Sequence, residues 1–335
     1  MPSALITPAG EVRLGVFSKP IDTINHTDFN LRTPMGRRAG GLARWLGFNQ
    51  FEFLGGLGPD VAFGVAIADV RYAGTGFAYV QDRQTAARTQ CSVTRPLGMG
   101  FDFVQTPETG TSRLASGPLK VEMTGEPGRR RLKAVGKNID IDAIFEEDDM
   151  APLRICTKAG ATGWVYARKT AGHRVHGTLK WDGRTLDLAT ARVLGHHDWS
   201  AGYMRRETFW NWGCLAGHTQ DGRVVGMNVS CGVNETSFQE NCFWVDGRLH
   251  RLPPVHFHYT LDDLHKPWRL TDEAGRVVLD FTSEGAHGER IQGGVVASNF
   301  TQLLGRYSGH LIADDGEHIE LEELPGYAEW HYAKW

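Results

Sequence analysis

The segment 195–200 combines ionisable and aromatic residues more densely than any other part of the sequence. It reads Gly-His-His-Asp-Trp-Ser, so the carboxyl of Asp198 is preceded by His196 and His197 and followed by Trp199. A carboxyl group that indole rings shield from water loses hydration, which disfavours its charged form and raises its pKa. A raised pKa is what a general acid needs near neutral pH. The segment therefore predicts that Asp198 donates a proton, with His196 or His197 controlling its protonation.

The orientation of these side chains depends on whether the segment is a strand. If it continues the strand-like run before it, alternation places His196 and Asp198 on one face, and His197 and Trp199 on the other. An alternative interpretation is structural: Asp198 accepts hydrogen bonds from backbone amides in a turn, with His196 as its partner. The sequence leaves both interpretations open.

A second aromatic group follows shortly afterwards. Trp210 and Trp212 are two positions apart, so a strand would point both indoles the same way. Paired indoles can form the floor of a ligand site and stabilise a developing positive charge, or they can be ordinary barrel core. The next hairpin supplies polar side chains. The predicted substrate-binding residues are Trp199, Trp210, Trp212, Asn228, Glu240 and Asn241.

Metal and cofactor chemistry find little support in the motifs. His256 and His258 have the alternate spacing that converges on a strand, but no third ligand follows at a diagnostic interval. No phosphate-binding loop, nucleotide-type glycine motif or nucleophile elbow is present, and the glycine-rich stretch 55–59 is interpreted as a loop. The sequence therefore predicts no metal and no cofactor.

Composition excludes several classes of partner. The chain has 335 residues, 41% hydrophobic and 22% charged, with a net charge of -3, which describes a globular protein with one large or two smaller domains. This balance predicts no nucleic-acid partner. No signal peptide and no apolar run of about 20 residues is apparent, so no integral membrane segment is expected. Five cysteines without a CxxC spacing indicate reduced thiols and a cytoplasmic protein.

The remaining sequence predicts the scaffold. Forty-one glycines fall between short β-type runs, and Asp-Gly pairs at 182–183, 221–222, 246–247 and 315–316 are typical of hairpin turns. Successive hairpins form meanders, and long meanders usually close into barrels. One short helix is expected within 36–46. The charged runs 129–131 and 146–149 are interpreted as a solvated hairpin tip and a solvated loop. The predicted fold class is all-β, of barrel type.

These motifs together resemble a known group. The segment 196–200, the Trp-Asn-Trp at 210–212 and the Asp-Gly-Arg at 221–223 are similar to lipocalin-like (calycin) proteins related to carotenoid 1,2-hydratase (hydroxyneurosporene synthase). A looser match runs from 305–309 through 315–316 to 326–330. More closely, the chain resembles a bacterial domain family of unknown function in that superfamily, which the strand at 67–69 and Glu240–Asn241 also fit.

The resemblance implies two consecutive lipocalin-like antiparallel β-barrels with few short helices, at residues 1–203 and 204–335, with a pocket near their junction. It implies that Asp198 stands where the hydratase group has its proton donor. His197 and Trp199 depart from the hydratase pattern around that aspartate. We therefore expect a cofactor-free lyase or isomerase that protonates an apolar isoprenoid or polycyclic molecule. The alternative is a lipocalin-like protein that binds a hydrophobic small molecule without catalysis.

Overall fold

The structure consists almost entirely of antiparallel β-strands. The computed structural model describes residues 3–233, 237–293 and 296–335. Its strands form two sheets that follow one another in the sequence. The predicted all-β architecture of two consecutive curled antiparallel sheets is confirmed. The short helix expected within 36–46 is present as α1, Gly41–Leu46, and a single 3-10 turn covers His26–Asp28.

The first sheet has fourteen strands. They are β1 Gly15–Val16, β2 Phe48–Leu57, β3 Val61–Asp69, β4 Ala73–Asp82, β5 Arg88–Pro96, β6 Phe101–Asp102, β7 Gly110–Leu114, β8 Lys120–Glu126, β9 Arg129–Gly136, β10 Ile139–Glu146, β11 Leu153–Ala159, β12 Gly163–Trp181, β13 Arg184–Asp187 and β14 Leu194–Tyr203. The main path of neighbours is β5-β4-β3-β2-β14-β12-β10-β9-β8-β7-β6. The strand β14 therefore lies between β2 and β12.

The second sheet has nine strands in the order β18-β17-β16-β15-β23-β22-β21-β20-β19. They are β15 Glu207–His218, β16 Val224–Cys231, β17 Cys242–Val245, β18 Arg248–Arg251, β19 Val255–His258, β20 Trp268–Asp272, β21 Val277–Gly293, β22 Val296–Ile312 and β23 His318–Lys334. The predicted boundary at 203/204 falls between β14 and β15. The division into domains 1–203 and 204–335 stays a prediction.

The predicted Asp-Gly turns account for two of the hairpins. Asp182 and Gly183 have φ values of 46° and 78° between β12 and β13, and Asp246 and Gly247 have 48° and 80° between β17 and β18. Both central residues of a type I′ turn require positive φ, which aspartate tolerates and glycine adopts without steric cost. These turns therefore set the register of the strands they join.

Each sheet curls around its own apolar core, and a third cluster lies between the sheets. We call this cluster the interbarrel layer. The first sheet contributes Phe53, Leu57, Ala62, Ala66, Tyr79, Leu153, Ile155, Ala167, Ala171 and Leu194, and the second contributes Trp212, Cys214, Ala216, Cys242, Trp244, Leu304 and Tyr327. Because strand residues alternate between faces, strands that carry this layer, such as β2 and β14, bury one face in their own barrel and the other against the neighbouring sheet.

Three local interpretations of the sequence were wrong. Glu147 was expected in a solvated loop and Arg130 at a solvated hairpin tip, yet both are buried and form an ion pair with Nε–Oε1 at 3.0 Å. Arg130 shares the inward face of β9 with Leu132, so alternation carries the guanidinium inside. Residues 55–57, interpreted as part of a loop, belong to β2. Among the described residues no helix is long and apolar enough to cross a membrane.

Candidate functional site

The strand β14 distributes the motif 196–199 over two environments. Its neighbours are β2 and β12, and all four residues are buried. His196 faces the interbarrel layer, where its ring centroid is 5.0 Å from that of Phe53. His197 faces the opposite side and contacts Glu52. The structure therefore places the two histidines on different faces, as alternation predicts.

Asp198 forms an ion pair with a lysine directly across the ladder. Lys169 on β12 is the register partner of Asp198, and its Nζ lies 2.5 Å from Oδ2. The same Nζ lies 3.5 Å from Oε2 of Glu240, and the Ser200 hydroxyl donates to Oδ1 of Asp198 at 3.3 Å. The exposed fractions are 9% for Asp198, 4% for Lys169 and 3% for Glu240. We call Asp198, Lys169 and Glu240 the buried triad.

The buried triad combines opposing effects on pKa. Burial raises the pKa of Asp198, the Lys169 ammonium opposes that rise, and the charge of Glu240 reinforces it, with an upward net direction. For Lys169, burial acts to lower the pKa, but the carboxylates of Asp198 and Glu240 outweigh it and raise the pKa. Both carboxyls contact one ammonium, so the three groups together carry a net charge of -1 when all are ionised. Protonation of Asp198 would remove that charge.

His196 is neutral and has no hydrogen-bond partner among the described residues. Burial, and then the charge of His173, lower its pKa to about 3. Both ring nitrogens are buried without a donor or acceptor, and the ring packs against Tyr327 and Trp212 at centroid distances of 5.5 and 6.4 Å. A buried polar group without a partner is uncommon in native proteins and calls for an explanation.

Glycine at position 55 lets His196 approach the neighbouring strand. A Cβ built at Gly55 would lie 2.5 Å from Nε2 of His196, closer than any real Cβ contact. Gly55 therefore allows strand β2 to accommodate the imidazole, since any larger residue at this position would displace it.

His197 belongs to a separate charged network inside the first barrel. Its Nε2 lies 3.2 Å from Oε1 of Glu52, and its Nδ1 lies 3.3 Å from Nη1 of Arg168. Burial and the nearby arginines lower the pKa of His197 well below its usual value, while burial raises the pKa of Glu52 to about 6. The structure does not bring His197 together with Asp198, because the sheet lies between them.

Trp210 and Trp212 both pack on the interbarrel layer, but their indoles have different hydrogen-bond partners. Trp212 donates from Nε1 to Oδ1 of Asn228 at 2.9 Å, and Asn228 donates to the Glu240 carbonyl at 3.0 Å, which ties the indole to the backbone beside the buried triad. Trp210 also packs on the interbarrel layer, but it donates to Oε1 of Glu329 at 2.8 Å.

Of the predicted substrate-binding residues, Trp199 lies away from the buried triad and the Asn241 side chain bonds to the backbone. Trp199 packs against Tyr166 at a centroid distance of 6.3 Å, within the apolar cluster formed with the N-terminal segment. Asn241 lies next to Glu240, but its Oδ1 accepts a hydrogen bond from the backbone N–H of Ser230 at 2.7 Å. The structure therefore groups Asp198, His196, Trp212, Asn228 and Glu240, and it separates Trp199 from them.

The motifs of the sequence did not single out Lys169 as a site residue. A signal was present, because Arg168-Lys169 interrupts an otherwise apolar run in β12 and every residue from Trp164 to His173 is buried. A cation in a strand buried on both faces requires a charged partner. The sequence could not say which carboxylate that partner is, because the partner is set by sheet register.

The described residues contain no group of three or more His, Cys, Asp or Glu side chains that could hold a metal ion. His256 and His258 are exposed on β19, and Nε2 of His258 lies 3.1 Å from Oγ1 of Thr271. Two cavities, of about 440 and 420 Å³, lie at the surface of the first barrel, and neither is lined by Asp198.

Comparison with known proteins identifies the family and the fold. The family described as a domain of unknown function (DUF2804) matches residues 1–335, so the chain belongs to that family, as the resemblance predicted. CghA, solved with Sch210972, is 10% identical with a TM-score of 0.53, covering 86% of this chain and 88% of its own. Kievitone hydratase from Nectria haematococca is also 10% identical, with a TM-score of 0.51 and coverage of 85% and 88%. No curated protein sequence matches the chain. The structural likeness concerns the fold.

Proposed function

For this member of the DUF2804 family, we propose a lyase or isomerase activity without a redox cofactor, in which Asp198 protonates an apolar isoprenoid or polycyclic molecule. The observation that carries the proposal is the buried triad at the edge of an aromatic layer. Burial raises the pKa of Asp198, and Lys169, which is itself paired with Glu240, holds the Asp198 carboxyl in place. Hydration, isomerisation or cyclisation can each begin with this proton transfer.

The triad suits the first step of such a reaction. Asp198 donates its carboxyl proton to one alkene carbon, whose π electrons form the new C–H bond and leave the other carbon cationic. The carboxylate that remains lies 2.5 Å from the Lys169 ammonium, so its developing charge is stabilised by a group already in position. The faces of Trp212 and Tyr327, stacked at a centroid distance of 6.1 Å, can stabilise the carbocation.

The later steps follow from the fate of the cation. In hydration, water attacks the cationic carbon and then loses a proton, which restores the acid form of Asp198, so that alkene plus water gives an alcohol. In isomerisation the cation loses a different proton, and in cyclisation a second alkene attacks it. His196 remains a neutral member of the wall. The hydratase named among the structural neighbours supports this reaction class.

The test is turnover in water enriched in oxygen-18. The wild-type protein is incubated with farnesol, squalene and lycopene, and products are analysed by mass spectrometry for incorporation of the label or for rearrangement. Loss of a general acid typically costs about 100-fold or more, so Asp198→Asn should lose the product signal. Asp149→Asn, whose side chain is 84% exposed, is the matched control and should retain it. Equal turnover by Asp198→Asn and wild type would end the proposal.

A second candidate is a binding protein without catalysis. The observation that favours it is the short Lys169–Asp198 ion pair, since an ammonium so close stabilises the charged carboxylate. In that case Asp198 fixes the two strands, an apolar ligand binds without turnover, and Asp198→Asn mainly loses stability. Binding of an unchanged ligand by wild type, together with a destabilised Asp198→Asn, would support this candidate over the enzyme.

A further inference from the structure

A guanidinium that no described residue pairs with lies at the edge of the interbarrel layer. Arg88, the first residue of β5, is partly buried, and its Cζ lies 3.8 Å from the ring centroid of Tyr79. Its Nε and Nη2 are buried and have no acceptor, and Arg88 belongs to no ion pair among residues 3–233, 237–293 and 296–335. A buried charge is normally paired, because loss of hydration otherwise makes it costly.

The carboxylate that lies in this region is already used. Glu329 accepts hydrogen bonds from Trp210 at 2.8 Å and from Gln302 at 3.1 Å, and the Tyr79 hydroxyl donates to Gln302 at 3.2 Å. Burial, and then the charge of Arg88, lower the pKa of His287 to about 4. Its imidazole is therefore neutral near pH 7 and is not a counter-ion for Arg88. Within the part of the chain that the structure describes, no carboxylate therefore pairs with Arg88.

Further unpartnered polar atoms continue from Arg88 towards Asp198. The buried hydroxyl of Tyr327 lies beside that of Tyr79 but makes no hydrogen bond of good geometry, and the ring of Tyr327 packs on His196, whose two nitrogens are also unpartnered. His196 and Asp198 occupy the same face of β14. Buried polar groups are almost always satisfied by protein, water or ligand, so a row of buried side chains without a protein partner in one layer is suited to binding a polar group.

We propose that this row binds a largely apolar ligand through a carboxylate held by Arg88, with the reacting alkene directed towards Asp198. This inference rests on the proposed function and names its substrate class, an apolar acid. The planar fork of a guanidinium matches the two oxygens of a carboxylate. Between the two ends lie Phe53 and Phe77, 6.4 Å apart, and Phe77 stacks on Tyr79 at 6.3 Å, so the path is apolar.

The layer also sets the length of the ligand. The strands β14, β2, β3, β4 and β5 are consecutive neighbours, so Asp198 and Arg88 lie on strands four spacings apart, roughly 19 Å along the sheet, and the Arg88 side chain extends back over Tyr79 of β4. A long hydrocarbon chain with a terminal carboxylate spans that distance, whereas a compact acid would reach only one end. The side chains between the ends, from Phe53 to Tyr79, would contact the hydrocarbon.

The experiment compares an acid with its ester. Parinaric acid, an apolar polyene acid, and its methyl ester are titrated into the full-length protein, and binding is followed by polyene fluorescence. The wild type should prefer the acid by about 10-fold to 100-fold, the usual range for a hydrogen-bonded charged group. Arg88→Met should lose this preference while its affinity for the ester is unchanged. Arg174→Met, a 74% exposed arginine, is the matched control and should keep it.

Other outcomes overturn the inference. Equal affinity of the wild type for acid and ester, or no binding of the acid, refutes a carboxylate site. If Arg88→Met loses affinity equally for the acid and the ester, Arg88 only supports the layer through Tyr79. Arg88→Lys, which keeps the charge without the fork, provides a second test if the methionine variant is unstable, and it should retain part of the preference. Turnover by Asp198 is scored separately, so this inference and the proposed function fail independently.

Discussion

Removal of the Lys169 ammonium tests the electrostatics of the buried triad. The Lys169→Met variant preserves the length of the side chain and removes the ammonium that both Asp198 and Glu240 contact. At an effective dielectric constant of about 20, charges 2.5 and 3.5 Å apart interact by about 7 and about 5 kcal/mol. Desolvation of the ammonium offsets most of this attraction. The free energy of unfolding should therefore fall by about 3–5 kcal/mol at neutral pH, as for other broken buried ion pairs.

The loss should depend on pH in a defined direction. Without the ammonium, the folded-state pKa of Asp198 rises further above its unfolded value, and each unit of that rise is worth about 1.4 kcal/mol. A carboxyl with a raised folded pKa is destabilising above its unfolded pKa, and this effect fades as falling pH protonates the folded state. The difference between wild type and Lys169→Met should therefore be large at pH 8 and much smaller near pH 5.

Urea unfolding at pH 5 and pH 8, followed by tryptophan fluorescence, measures this difference. Lys180→Met is the matched control, because Lys180 lies on the same strand but its side chain is 54% exposed beside Asp140. Lys180→Met should change the free energy of unfolding by no more than about 0.5 kcal/mol at both values of pH. A loss in Lys169→Met below about 1 kcal/mol, or one equal at pH 5 and pH 8, would refute the assignment of Asp198 and Glu240 as charged partners of Lys169.

Two further predictions concern His196 and its glycine neighbour. Gly55→Ala should lower the free energy of unfolding, measured by chemical denaturation, by about 1–3 kcal/mol, because the new Cβ would lie 2.5 Å from His196. Gly41→Ala in α1, with open space around it, is the control and should cause no loss. Equal effects of the two substitutions would contradict the close packing at Gly55. Since the pKa of His196 is lowered to about 3, NMR should show a neutral imidazole at pH 5. The contribution of His196 to stability should fall as the pH drops below about 6.5, because the histidine of the unfolded chain then takes up a proton. A titration near pH 6 would mean that His196 is hydrated.

Local chemistry accounts for the features that the sequence predicted well. The Asp182–Gly183 and Asp246–Gly247 turns follow from the positive φ that their hairpins require, which depends on the two turn residues themselves. The opposite orientation of His196 and His197 follows from the two-residue period of a strand. Composition and spacing determine such features because each involves only near neighbours in the chain.

Errors arose where charge patterns were interpreted without the sheet. Glu147 belongs to an acidic run that suggests a solvated loop, yet it is buried with Arg130 and with Arg168, whose Nη2 lies 2.7 Å from Oε2 of Glu147. These arginines come from β9 and β12, which flank β10 in the sheet. Burial of a charge depends on whether counter-charges arrive from distant strands, and a local pattern contains no information on that.

The sequence by itself determined an all-β chain with Asp198 and His196 on one face of a strand, because alternation and turn chemistry act over a few residues. Only the tertiary structure decided that Lys169 is the partner of Asp198, that Glu240 from the connection between β16 and β17 completes the triad and that Arg88 forms no ion pair among the described residues. These relations depend on strand register and on the packing of one curled sheet against another. The physical reason is that the energy of a buried charge is set by what surrounds it in space.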